Sequence, residues 1–340
     1  MTAYVQNDLV SFLHWSHYVL RHFRLLMFAI VLSILTAITA TAQKPVDVIR
    51  VDTQLTAFEA AVTDKTGKPV RNLSAADFRI YVDDVERKID FFEPIRKQNE
   101  GRPLSVVFVL DVSGSMTPEE LEKLKSAMQG FTSRLADYNS YFSIVAFAME
   151  VKSLQSFTNR PEKLEKAVNR IVRDQNGLST HAYDAVDEAV RLLVRRSPKI
   201  LKGHFAKRAV VLITDGFPVG DIVSPETVIE RANASETSIY SVILPSYSRL
   251  PGGRKPLPTP LEASGLIEKT GGKSFYADEK SFEPLFTALA EEITASYALA
   301  FYPSEESLGD GMFHKVRIES KSGFSVKQNR PGYKISLSQQ

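Results

Sequence analysis

Two uninterrupted apolar runs, LSVVFVL at 104–110 and RAVVLIT at 208–214, each end in an aspartate, Asp111 and Asp215. A strand without polar alternation must be covered on both faces, which is the place of a central strand in a helix-flanked parallel sheet. YFSIVAFAM (141–149), SIYSVIL (238–244) and the shorter KSFYA (273–277) read as further strands. Helical patterns lie between them. Thr117, Pro118 and Glu120 combine an N-cap, a proline at the first helical position and a capping-box glutamate. Leu121, Leu124, Met128, Phe131 and Leu135 then recur at helical spacing, and Leu164, Val168, Ile171 and Val172 mark a second helix. Three more helices are expected at 183–196, 224–234 and 281–297. This alternation predicts an α/β fold with a doubly wound, mostly parallel sheet.

The flanks read differently. VIRVDTQLTAFEAAVTD (48–64) and DFRIYVDDVERKIDFFEP (77–94) are β-like, the second a hairpin with Asp83 and Asp84 at its tip. RKQNEGRP (96–103) has linker composition. After residue 296, ALAFYP, FHKVRIES and FSVKQNRPGYKI are β-like again but too few to fold alone. The simplest organisation is a small β-sandwich-like domain built from both flanks, 43–97 and 296–340. A linker at 98–103 then leads into an α/β domain at 104–295 inserted between them.

The first 42 residues stand apart. Arg21, His22 and Arg24 precede the uncharged stretch LLMFAIVLSILTAITATA, which ends in Ala40-Thr41-Ala42. A basic segment, an apolar core and small residues at the cleavage positions predict a secretory signal peptide, with an uncleaved membrane anchor as the rival. The long leader before Arg21 places the expected start codon nearer Val19 or Leu20. Without residues 1–42, Lys plus Arg falls from 42 to 40 and Asp plus Glu from 40 to 39, leaving about +1. A near-neutral chain gives no sign of a nucleic-acid or membrane-surface binder, and membrane attachment is expected only through an uncleaved leader, if at all. With no cysteine, disulfides, thiolate metal sites and cysteine nucleophiles are excluded. The compartment expected is periplasm, cell envelope or exterior.

In an open α/β sheet, functional groups gather at the carboxyl ends of the strands. Asp111 and Asp215 would emerge there together, beside Ser113 and Ser115, and Thr180 stands on a connection able to return to the same rim. Carboxylates and hydroxyls at such a place could serve catalysis, a cation or a capped turn. Oxygen-only donors suit a hard divalent ion such as Mg²⁺, with Mn²⁺ as substitute. Two carboxylates would balance its charge, and a position normally held by water could accept an oxygen from a partner, a carboxylate being the natural donor.

DVSGSM with Asp111, Ser113 and Ser115, Thr180 before YDA, and TDG at Asp215 resemble the metal-ion-dependent adhesion site of von Willebrand factor type A domains. All five positions match in order and spacing. The flanking segments also resemble exported bacterial, acidobacterial-type proteins related to that family. The resemblance implies a non-enzymatic module whose metal captures a protein partner through its exposed Asp or Glu. Two departures stand out: Asp84 replaces a usual glycine at the hairpin, and His181 follows Thr180 where a small or aliphatic residue is usual.

His181 is either a solvent-exposed residue at a helix start or a group near the metal that supports its ligands, senses pH or contacts the ligand. Asp184 and Asp187 read as a solvated helix face, with Asp184 also placed to orient the metal loop. SYSRLPGGRKPLPTP (246–260) carries Arg249, Arg254 and Lys255 without an acid, and reads either as an ordinary loop or as a recognition loop for acidic partners. Nucleotide binding finds no support, since neither G-x-G-x-x-G after the first strand nor G-x-x-x-x-G-K-[ST] is present, and H-E-x-x-H is absent too. Two rival functions remain. One is a metal-assisted hydrolase with His181 as base; the other is a structural envelope protein whose cation only stabilises the loops.

Overall fold

The structure, a computed structural model, describes residues 55–97, 101–114, 117–172, 180–244, 258–277, 282–308 and 310–335. The leader at 1–42, Ser115 and the basic stretch with Arg249, Arg254 and Lys255 lie outside them. Among the described residues, no helix is long and apolar enough to cross a membrane.

The α/β body is built on a six-stranded sheet. Its strands are β5 (Leu104–Asp111), β6 (Ser140–Phe147), β7 (Val151–Thr158), β10 (Lys207–Thr214), β11 (Thr237–Ile243) and β12 (Ser274–Tyr276). They lie in the order β12-β11-β10-β5-β6-β7, with only β7 antiparallel to its neighbour. The two apolar runs sit side by side at the centre, Val107 opposite Val210 and Leu110 opposite Ile213. Alternate residues of β5 serve opposite faces. Val106, Phe108 and Leu110 pack with α1 (Pro118–Arg134), α2 (Pro161–Asn169) and α7 (Glu283–Thr294). Val107 and Val109 pack with α3 (Ala182–Arg196), α4 (Pro225–Ala234) and the short α5 (Pro260–Ala263) and α6 (Leu266–Lys269). Continuous hydrophobicity is thus the consequence of two-sided burial. The predicted cap of α1 is present: the Thr117 hydroxyl accepts the Glu120 N–H at 3.2 Å, and the Glu120 carboxylate accepts the Thr117 N–H at 2.7 Å.

Residues from both flanks form two four-stranded sheets. One has the order β15-β1-β13-β4, from β15 (Ser325–Gln328), β1 (Thr56–Thr63), β13 (Ser296–Phe301) and β4 (Phe91–Pro94). The other has β16-β14-β2-β3, from β16 (Gly332–Lys334), β14 (Phe313–Ser320), β2 (Phe78–Val82) and β3 (Val85–Arg87). Phe58, Val62, Ile80, Leu299, Phe301 and Ile318 fill the space between them. Distant segments therefore share each sheet, Thr56 facing Phe301 and Val82 facing Val316. A small hairpin, β8 (Ile200–Leu201) and β9 (His204–Phe205), sets Phe205 edge-on to Phe91 of the sandwich. Arg71 reaches the end of α7, donating to the Thr294 carbonyl at 3.3 Å and its hydroxyl at 2.9 Å, which satisfies a carbonyl left open at a helix C-terminus.

The β2–β3 turn puts both Asp83 and Asp84 in the left-handed region, φ 49° and 64°, as a two-residue hairpin with Val82 facing Val85 requires. Asp83 is held there by side-chain bonds: its carboxylate accepts the Lys315 N–H at 2.9 Å and meets His314 Nδ1 at 2.7 Å. His314 is buried, stacks on Tyr333 and meets Asp310 through Nε2 at 3.1 Å. The bond to Asp83, with the Asp310 charge, raises His314 above its ordinary 6.5 against the effect of burial. The same bond lowers Asp83 from 3.8, with Arg87 adding to the effect. Stability from the raised histidine is present below about pH 6.5 and is lost as pH rises through the folded value; that from Asp83 is lost in acid. His314→Gln should therefore lower the denaturation midpoint more at about pH 5.5 than at about pH 8.5. An equal loss at both would show that the clasp carries no charge.

Candidate metal centre

Asp111 is the last residue of β5 and is 0% exposed. The in-register pairing of β5 with β10 brings Thr214 beside it, and the Thr214 hydroxyl donates to Asp111 Oδ2 at 2.9 Å. Oδ1 accepts the Ser113 N–H at 3.0 Å, and the Ser113 side chain also bonds this carboxylate. The Val112 N–H donates to Phe147 at the end of β6, so the loop leaves the sheet in a fixed direction.

Asp215 follows β10, half-buried, with Oδ1 accepting the Phe217 N–H at 3.1 Å. Gly216 between them has φ +88°, and a Cβ there would lie 2.7 Å from the Thr259 hydroxyl oxygen. Only glycine meets both demands. Thr180 is tied to the same loop by reciprocal backbone bonds with Val219, each 3.0 Å. The His181 N–H donates to Ala148, just past β6, at 3.3 Å. The structure therefore brings Asp111, Ser113, Thr180 and Asp215 to one rim at the carboxyl ends of the central strands.

Burial pushes the Asp111 carboxyl upward, the bonds from Ser113 and Thr214 oppose it, and the Asp215 charge adds to the rise. Asp215 is likewise raised by burial, opposed chiefly by backbone N–H groups. Two carboxylates are thus held where burial disfavours their negative charges, and at Asp111 the Asp215 charge disfavours it further. A bound divalent cation reverses that balance. Among the described residues, no group of three or more His, Asp or Glu side chains is placed to hold a metal ion. A cation at this rim would therefore rest on two carboxylates completed by hydroxyls, a donor set that fits a hard ion.

The reading of Asp184 and Asp187 as a solvated helix face is corrected. Asp187 is buried, paired with Arg191 at 2.9 Å and with Arg231 of α4. Asp184 accepts the Ile222 N–H at 3.1 Å and the Val223 N–H at 2.8 Å, while its own N–H donates to Asp221 at 3.0 Å. His181 Nδ1 lies 3.1 Å from the Asp184 carboxylate. Asp184 thus pins the loop that follows Asp215. The local cue was its place in the first turn of α3, but its partners lie 38 and 39 residues away and leave no trace in sequence spacing. Thr214, inside an apolar run, was missed for a similar reason.

Residues 105–249 match the von Willebrand factor type A domain family. That match lies within the α/β body and takes in β5 through β11. Human matrilin-3 is 31% identical over 165 residues, which cover 44% of this chain and 32% of that protein. Inter alpha-trypsin inhibitor heavy chain 4 of Mus musculus is 28% identical over 140 residues, covering 41% of this chain and 15% of the relative. The chain therefore spans less than a third of either relative's length. Among solved structures, proximal thread matrix protein 1 from the mussel byssus, with a zinc-occupied MIDAS motif, aligns with a TM-score of 0.47 at 16% identity. That alignment covers 62% of this chain and 50% of the mussel chain.

Proposed function

We propose that this chain is an exported, non-enzymatic binding module that captures a protein partner through a divalent ion at the rim. Asp111, Ser113, Ser115, Thr180 and Asp215 would hold the ion, Mg²⁺ with Mn²⁺ as substitute, Ser115 being assigned from its spacing in DVSGSM. When bound, the ion supplies a coordination position for an oxygen from outside, which the partner fills with an Asp or Glu. The observation that carries this reading is the pair of carboxylates at adjoining strand ends, Asp111 buried and held by Thr214 and Ser113, Asp215 half-buried beside it.

The chain's own groups do the positioning. Thr214 and the Ser113 N–H fix the two oxygens of Asp111, and Val219 fixes the backbone of Thr180. His181 spends Nδ1 on Asp184, whose carboxylate anchors a loop, an arrangement that favours a supporting role over that of a general base. Arg249, Arg254 and Lys255 are assigned to acidic-partner recognition because the described flanks of their segment, Leu244 and Thr259, both contact the Thr214–Gly216 end of β10. Residues 104–295 would be the binding domain and 43–97 with 296–340 its support. The leader at 1–42 supports export.

The test uses the full chain, immobilised and exposed to an extract of its native envelope with Mg²⁺, with EDTA, or as Asp111→Ala with Mg²⁺. A protein retained only in the first condition is the expected result. Identical captured sets in all three would refute metal-dependent capture.

A further inference from the structure

We propose that the partner's acidic side chain is flanked by large apolar side chains, because the metal rim carries an exposed apolar collar. The inference rests on the metal-binding reading above and specifies the partner's chemistry. Ile222 is 89% exposed, Val219 54%, Met149 54% and Phe217 37%. All four stand on the two loops that frame the site, Met149 just past β6 and the others in the segment after Asp215.

Their exposure is imposed by the backbone around them. The Phe217 N–H is bound to the Asp215 carboxylate, and the Ile222 N–H to Asp184. Both backbone groups of Val219 are bound to Thr180. Ala148, next to Met149, accepts the His181 N–H. The bonds that fix the rim therefore also fix the chain carrying these side chains, and the loop cannot roll them inward without releasing Thr180, Asp184 or Asp215. Exposed apolar side chains gathered around a polar centre mark an interaction surface, whereas scattered ones carry no message.

The collar also settles which occupant fits. The four side chains bring no charge; of the acids beside them, Glu150 is paired with Lys152 at 3.0 Å and Asp221, next to Ile222, accepts the Asp184 N–H at 3.0 Å. The attraction for an anion would come from the ion at the centre, and the surrounding contact would come from apolar surface. An interface of this kind has a dry apolar contact around a desolvated polar anchor. A partner with a carboxylate amid polar or charged neighbours would leave Ile222 and Met149 against polar groups.

The test measures fluorescence anisotropy of the full chain with three labelled peptides. These are Gly-Leu-Phe-Glu-Phe-Leu-Gly, the same peptide with Gln for Glu, and Gly-Ser-Ser-Glu-Ser-Ser-Gly. With Mg²⁺ the first should bind at least about tenfold more tightly than either of the others, and EDTA should abolish the difference. A Met149→Ser, Ile222→Ser double variant, altered only at exposed side chains, should reduce that advantage to about twofold or less. Its Mg²⁺-induced rise in Tm should match the wild type. Equal binding of the two Glu peptides in Mg²⁺, or no binding of any peptide while Mg²⁺ still raises Tm, overturns the collar and leaves the metal reading standing. Binding of the apolar peptides regardless of EDTA or Gln overturns it as well. A Tm unmoved by Mg²⁺ instead removes the reading on which the inference rests.

Discussion

Glu59→Ala is expected to destabilise the folded chain by about 3–5 kcal/mol, the cost of leaving buried charge uncompensated. Glu59 lies in β1 of the sandwich and receives two cations from the base of the α/β sheet, at the pole opposite the metal rim. Arg102 grips its carboxylate through both terminal nitrogens and donates Nε–H to the Phe205 carbonyl at 2.7 Å. Lys207 lies 3.5 Å from the same carboxylate and donates to the Ser238 hydroxyl at 3.0 Å. All three side chains are buried. Burial, with the Arg102 charge adding to it, pulls Lys207 down to about 7.

The arithmetic of charge makes the prediction asymmetric. Removing Glu59 leaves the Arg102 guanidinium buried beside Lys207 with no carboxylate between them, and Lys207 escapes the repulsion only by giving up its proton. Lys207→Met leaves one carboxylate with one guanidinium, a pair that satisfies itself, and should cost less than about 1 kcal/mol or even stabilise. Urea denaturation of the two variants beside the wild type reads this directly. Equal losses would mean that the sandwich is held to the α/β body by apolar contacts such as Phe91 on Phe205, with the ion cluster incidental.

This cluster marks the limit of what the sequence discloses. The parallel sheet was legible because Val107, Val109, Val210 and Leu212 must be apolar on one face while Val106, Phe108 and Val211 must be so on the other. Two-sided burial writes itself into local composition. The edge strand β7, VKSLQSFT, is half-wet and antiparallel, carries no such run, and was not expected. Arg102 stood in a stretch of linker composition and Lys207 at the start of an apolar strand, both places where a cation is ordinarily solvated. Their burial depends on Glu59, 43 residues from Arg102 and in the other sheet system, so no local pattern encodes it. The rim divides in the same way. Asp111, Ser113, Thr180 and Asp215 are legible because a strand end followed by oxygen-bearing residues is a local feature. The apolar collar is not, because hydrogen bonds across the rim place it; of Asp184 the orienting role is legible from its place beside Thr180, but its partners Ile222 and Val223 are not.

Asp215→Asn should change the sign of its effect with the metal. In EDTA the wild type carries two carboxylates at one rim, each raised by burial, with the Asp215 charge acting against Asp111. The amide removes that repulsion, and its oxygen can still accept the Phe217 N–H. The variant should then melt at or above the wild type. In Mg²⁺ the order reverses. At a free ion concentration about a hundred times the dissociation constant, binding to the native state alone stabilises it by about 2.7 kcal/mol. For a chain of this size that corresponds to a rise of roughly 4 °C, which the variant, short of one anionic ligand, should largely forgo. A merely capped turn predicts a different outcome, with no response to Mg²⁺ in either protein and a loss on substitution that EDTA does not alter. Thermal melts of both proteins with Mg²⁺ and with EDTA therefore distinguish a cation site from a turn, without knowledge of the partner.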